Sequence, residues 1–172
     1  MRLSSITLAL GAGLCAAALC AAAAPAAAPA PMAASAPFSP EQIVVARQTA
    51  FMLSAGTFGE MKPAIDTGGD VTGYAFGARA LARWARVLPA LFPEGSLTPR
   101  SHAKPAIWQN RADFEAKAAS YAAAATHLAE LAQAGDKAGF AAQWTVVRQS
   151  CGACHDLYRV EPPRPAAAAP AH

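Results

Sequence analysis

The sequence predicts an all-α fold, an antiparallel four-helix bundle over residues 38–160. Two observations carry this prediction. Apolar residues recur three and four positions apart in four separate stretches, and no run of useful length alternates as a strand would. Proline and glycine clusters divide the stretches, mostly with short connections, which favours neighbouring helices packed antiparallel. The segment is about the size of one single-core domain, and no internal repeat divides it.

The first helix is expected from Pro40 to about Phe58. Ser39 can cap it, Pro40 suits the first helical position and Glu41 places an acid in the first turn; Ile43, Val44, Arg47, Phe51 and Phe58 follow at helical spacing. Gly56, Gly59, Pro63 and the Gly68-Gly69 pair then mark a loop. The second helix is expected from Val71 to Pro89, with Tyr74, Ala78, Leu81, Ala85 and Leu88 on one face and Arg79, Arg83 and Arg86 on others. Pro93, Gly95, Pro99, Ser101 and Pro105 make a long connection that cannot be regular helix throughout.

The third helix, Ala112 to Ala132, is alanine-rich, with Phe114, Tyr121, Leu128 and Leu131 near one side, and Gly135 stops it. Asp136 can cap the fourth. There Phe140, Trp144, Val147, Cys151, Cys154, His155 and Tyr158 fall on one stripe, which puts the reactive side chains on the core face. The many alanines allow close packing and leave volume that a bulky flat cofactor could fill.

Both ends of the chain read as something other than fold. Residues 1–24 have a short basic start at Arg2, an apolar run from Ile6 to Leu19 and small residues at 21–24, the pattern of a secretory signal peptide. Cys15 and Cys20 each follow leucine rather than a small residue, so no lipid membrane anchor is expected. Residues 25–37 form an Ala/Pro-rich linker, and the tail 161–172 repeats that composition and is expected to be disordered. The formal charge of +3, +2 once Arg2 leaves with the leader, is far too small to suggest a nucleic-acid partner.

Export makes the periplasm the expected compartment and reduces four cysteines to two, both in Cys151-Gly152-Ala153-Cys154-His155. This is C-x-x-C-H, the attachment pattern of c-type haem. On a helix the two sulfurs and the imidazole lie at i, i+3 and i+4. One face thus offers two thioethers to the haem vinyls and a ligand to the iron, so one covalent haem c per chain is expected with His155 as metal ligand. Gly152 costs about 1 kcal/mol in a helix relative to alanine and would relieve crowding beside the porphyrin. A redox dithiol normally opens a helix after a strand, and a zinc site would need two further ligands, while His102, His127 and His172 are scattered.

A haem motif on the last helix of a four-helix bundle resembles cytochrome c′. Three further segments carry the likeness: Arg47-Gln48-Thr49-Ala50-Phe51-Met52-Leu53 with Phe58-Gly59, Lys104-Pro105-Ala106-Ile107-Trp108, and Cys151 to Arg159. Two departures are Ala46, where the family has tyrosine, and the 91–103 loop, which lacks a clear Gly-Pro-Gly-Thr stretch.

The resemblance implies that Phe51 covers the distal haem face and leaves the iron five-coordinate. It also implies that Arg47 and Gln48 lie near the propionates and that Arg159 lies beside His155. On residue type alone, either arginine reads as a solvated surface charge. A closed apolar pocket without a hydrogen-bond donor should admit NO and CO and disfavour O₂ and anions. Binding of NO or CO, electron exchange with an unknown redox partner, and a homodimer through the first two helices are what the family implies.

The alternative is a low-spin electron carrier in which Met52 supplies a sixth ligand. Met52 lies about 100° around the helix from Phe51, so both cannot face the iron equally. No distal His–Arg pair is evident, so no catalytic site is expected and the chain is not read as an enzyme.

Overall fold

The computed structural model describes residues 38–161. The signal peptide at 1–24, the linker at 25–37 and the tail beyond Glu161 lie outside the described residues. Among the described residues there are six α-helices: α1 Pro40–Gly59, α2 Lys62–Thr67, α3 Ala75–Val87, α4 Ala106–Gln109, α5 Arg111–Ala134 and α6 Lys137–Tyr158. The four long ones, α1, α3, α5 and α6, form the expected bundle, and no strand occurs among the described residues.

Local chemistry explains most of the boundaries. Ser39 and Gln42 form a reciprocal capping box at the start of α1, with Ser39 N donating to Gln42 Oε1 at 2.8 Å and Gln42 N to Ser39 Oγ at 3.2 Å. α5 ends at Gly135, whose φ of 68° is left-handed; Gly135 N donates to Ala132 O and Asp136 N to Leu131 O, each at 3.0 Å. Asp136 then caps α6 by accepting from Gly139 N at 2.9 Å.

The expectations differ from the structure in the connections. The loop expected after α1 contains α2, because Pro63 sits in the first turn of that helix, where its missing N–H costs nothing. α4 likewise starts after Pro105 inside the long connection. The expected second helix is shorter as an α-helix: Thr72–Tyr74 and Leu88–Leu91 are 3₁₀ turns on either side of α3, and Pro89 stops the α-helical ladder.

α5 packs between α3 and α6, and α1 lies against α3. The contact face of α5 is nearly all alanine, with Ala118, Ala122, Ala125, Ala129 and Ala132 buried. One half of the core is solid, built on Met61, Val71, Leu81, Leu128, Phe140 and Val147. In the other half Leu88, Phe92, Ile107, Phe114 and Tyr158 spread apart, and Phe51, Trp84 and Cys154 pack at their edge. That end is tied to the long connection: Lys104 N donates to Tyr158 O at 2.9 Å and Val160 N to His102 O at 2.7 Å. Among the described residues, no helix is long and apolar enough to cross a membrane.

Candidate cofactor site

The spread half of the core encloses a cavity of about 920 Å³, near the upper end of the range for small-molecule and cofactor sites. All seven residues expected at the site line it. α6 contributes Cys151, Cys154 and His155, α1 contributes Arg47, Gln48 and Phe51, and Arg159 follows α6.

The two cysteines are half-buried and not joined in a disulfide. Burial pushes the Cys151 thiol up and the Cys154 thiol up to about 11, so both are neutral thiols near pH 7 rather than thiolates poised for exchange. Burial, and after it the charge of Arg159, lowers the pKa of His155 and keeps the imidazole neutral, with a lone pair to give. The Phe51 ring lies 6.3 Å from the His155 ring, centroid to centroid. Met52 also reaches the cavity lining, yet it is 69% exposed.

Arg47 is not a solvated surface charge. It is 2% exposed and buried against the long connection. Nη1 donates to Leu91 O at 3.2 Å and Ser96 Oγ at 2.9 Å, Nη2 donates to Ser96 O at 2.9 Å and Ser101 Oγ at 2.5 Å, and the guanidinium stands 4.3 Å over Phe92. Gln48 Nε2 donates to Arg100 O at 2.9 Å. These two side chains of α1 therefore hold the 91–101 segment in place, although that segment lacks the family's glycine pattern. Arg159, half-exposed, fits the expectation better.

Sequence reasoning missed several wall residues. Trp84, Phe92 and Ile107 supply apolar surface, and Arg100, Lys117 and Arg148 supply charge. Arg100 and His102 both reach the cavity, a histidine and an arginine that the sequence did not bring together; both are exposed. The lining holds Arg47, Arg100, Lys117, Arg148 and Arg159 and no carboxylate. Summed charge of lining residues was the signal that could have found these, but it needs the fold first.

The donor set fits a haem. Two thiols and a neutral imidazole share one helix face, the surrounding wall is aromatic and aliphatic, and Arg100, Arg148 and Arg159 in the lining match a dianionic propionate edge, whereas Lys117 pairs with Asp113 at 3.8 Å and Arg47 is held by the 91–101 segment. Gly152 bears on the fit differently: a Cβ there would meet no protein atom within 4 Å, so the protein itself does not demand glycine at that position.

Comparison with known proteins bears on this reading. The family model described as Cytochrome C′ matches residues 42–159. A cytochrome c-556 of Agrobacterium tumefaciens (strain II Chrys) is 43% identical over 77 residues, 45% of this chain and 62% of that protein, so the match spans less than two-thirds of that relative's length. A cytochrome c′ of Alcaligenes xylosoxydans xylosoxydans is 34% identical over 123 residues, 70% of this chain and 94% of that protein.

Among solved structures, the nitric oxide complex of a Leu→Ile mutant of Alcaligenes xylosoxidans cytochrome c prime superposes with a TM-score of 0.66 at 31% identity. It covers 72% of this chain and 98% of the other. A carbon-monoxide-bound Leu→Gly variant of the same protein gives the same TM-score, identity and coverage.

Proposed function

Because the chain belongs to the cytochrome c′ family and carries covalent haem c as its cofactor, we propose that it is a periplasmic protein that binds NO or CO at a five-coordinate iron. In this reading Cys151 and Cys154 hold the haem, His155 ligates the iron, and Phe51 covers the opposite face. Bound there, the group supplies an iron with one coordination position open to a diatomic ligand. Everything else falls to the chain. His155 presents a neutral imidazole, Phe51 and its aromatic neighbours exclude water, and Arg100, Arg148 and Arg159 offer positive charge to the propionates.

The observation that carries this reading is that Phe51 lines the same cavity as Cys151, Cys154 and His155, among its aromatic residues, while Met52 is 69% exposed. Met52 borders the cavity too, yet most of its side chain is exposed, whereas Phe51 packs against Trp84, Phe92 and His155. Relatives solved with nitric oxide and with carbon monoxide give the reading further support. Electron exchange with a redox partner is compatible with the same site, and we assign no catalytic role to any residue.

The test is the optical and EPR spectrum of the protein from a host with c-type haem maturation, ferric and ferrous, before and after each gas. A high-spin spectrum that shifts with CO and NO is expected. A low-spin spectrum unmoved by either gas would select Met52 ligation and electron transfer instead.

A homodimer is part of the proposal. α1 is apolar on its outer side as well, where Val45, Met52 and Leu53 are 46%, 69% and 68% exposed, and Phe76 at the start of α3 is 76% exposed. A helix apolar all round is normally covered on both sides. Sedimentation of wild type against Leu53→Glu checks this, with a dimer expected only for wild type.

A further inference from the structure

The three tryptophans of the chain are not equivalent. Trp108 Nε1 donates to Phe92 O at 3.2 Å and Pro93 O at 3.1 Å, and Trp144 Nε1 donates to Phe58 O at 3.2 Å. Trp84 Nε1 is buried and has no acceptor. Trp84 belongs to the cavity wall, and its ring stands perpendicular to the Phe51 ring, centroids 5.2 Å apart at 89°.

An N–H shut away from water without an acceptor carries its desolvation penalty unrelieved, and such groups are rare enough to need a reason. Edge-to-face packing on an aromatic ring returns only part of that penalty. The neighbouring wall, Phe51, Leu88 and Phe92, contains no side-chain acceptor. Trp84 lines the cavity but its Nε1 is shut off from the open space, so a polar atom that gained access to it after a neighbouring ring had moved would meet a donor already stripped of water.

We propose that Trp84 is a specificity-determining donor of the cavity. When a ligand enters the space covered by Phe51 and that ring moves aside, the indole N–H donates to the ligand's outer atom. The proposal rests on the reading of Phe51 as the cover of an open iron position. It changes the expected selectivity: the wall is not uniformly apolar, and diatomic ligands whose outer oxygen bears partial negative charge gain over those that stay neutral. The class of ligand recognised is a small oxygen-terminated diatomic, O₂ and NO ahead of CO.

The experiment compares the wild-type holoprotein with Trp84→Phe and, as a control, Trp144→Phe. The readouts are the C–O stretching band of the ferrous CO form by infrared spectroscopy, the NO dissociation rate, and the ultraviolet resonance Raman signature of the indole N–H. For Trp84→Phe we expect a higher C–O frequency and NO dissociation about fivefold to tenfold faster, the usual worth of one net hydrogen bond. Trp144→Phe should leave both unchanged, and the wild-type indole signature should change when ligand is added.

A C–O band and dissociation rate in Trp84→Phe identical to wild type would overturn the proposal. If Trp84→Phe does not assemble with haem, the wild-type C–O band in H₂O and D₂O decides: a shift supports the donor and coincidence overturns it. Failure of the wild-type ferrous protein to bind either gas would instead bring down the functional reading, and this one with it.

Discussion

Replacing Arg47 by leucine should cost the protein about 3 kcal/mol of stability. The side chain donates four hydrogen bonds into the 91–101 segment and stacks on Phe92. Leucine would leave Leu91 O and Ser96 O without that donor, each a loss of about 1–3 kcal/mol where buried. The serine hydroxyls suffer less, because Ser96 Oγ still donates to Pro93 O at 2.8 Å and Ser101 Oγ still accepts from Ala103 N at 3.1 Å. Against the loss stands the relief of no longer burying a guanidinium, a cost visible in the downward push that burial gives its pKa.

A net of about 3 kcal/mol corresponds to a fall in Tm of roughly 12 °C for a domain of this size. Thermal denaturation followed by circular dichroism reads it directly, with Arg47→Lys recovering part of the loss because a single ammonium cannot reproduce the fork. If Arg47→Leu melted within about 2 °C of wild type while the reduction potential of the haem moved, the clamp argument would be wrong and Arg47 would be a propionate ligand in the main.

Phe51→Ala should speed CO association more than tenfold by flash photolysis, at a stability cost of about 2 kcal/mol, below the usual 3–5 because the ring is only half-buried; an unchanged rate would mean that Phe51 does not cover the iron. Gly139→Ala should lower the urea midpoint although alanine is the better helix former. Its Cβ would press on Asp136 Oδ2 and stand 2.8 Å from Leu131 Cδ2, so the capping side chain must shift, and a weakened cap at about 1–2 kcal/mol outweighs a gain of about 1. Cys151→Ser combined with Cys154→Ser should leave no haem attached after denaturation in mass spectrometry, and each single variant should retain one thioether.

The four long helices were legible because their apolar period runs over three turns or more, and the haem motif because five consecutive residues carry it. The short helices α2 and α4 were not. Pro63 and Pro105 read as breakers, yet proline is equally at home in a first turn, as Pro63 is, or just before a helix, as Pro105 is, and only tertiary context separates these uses. The burial of Arg47 was illegible for a similar reason. Its partners Ser96 and Ser101 lie 49 and 54 residues away, and nothing in their types announces an arginine clamp. Trp84 escaped because a tryptophan at helical spacing reads as core, and its missing acceptor exists only in three dimensions.

The unequal halves of the core explain how the site keeps its geometry. Phe140 and Val147 of α6 are fully buried in the solid half, against the alanine face of α5, where backbones approach closely and little side-chain freedom remains. The same helix then runs on into the cavity with Cys151, Cys154 and His155. Its far end is held by Tyr158, whose hydroxyl donates to Asp113 Oδ2 at 2.5 Å and whose carbonyl accepts from Lys104 N. Anchored at both ends, α6 presents two thiols and an imidazole on a face with almost no freedom to rotate. The opposite wall is α1, and its loop is fixed to it by Arg47. The helices that carry Phe51 and His155 are therefore positioned by packing and clamping remote from either ring. Arg47 also fixes which side of α1 meets the cavity, so that Phe51 packs among its aromatic residues while most of Met52 is exposed.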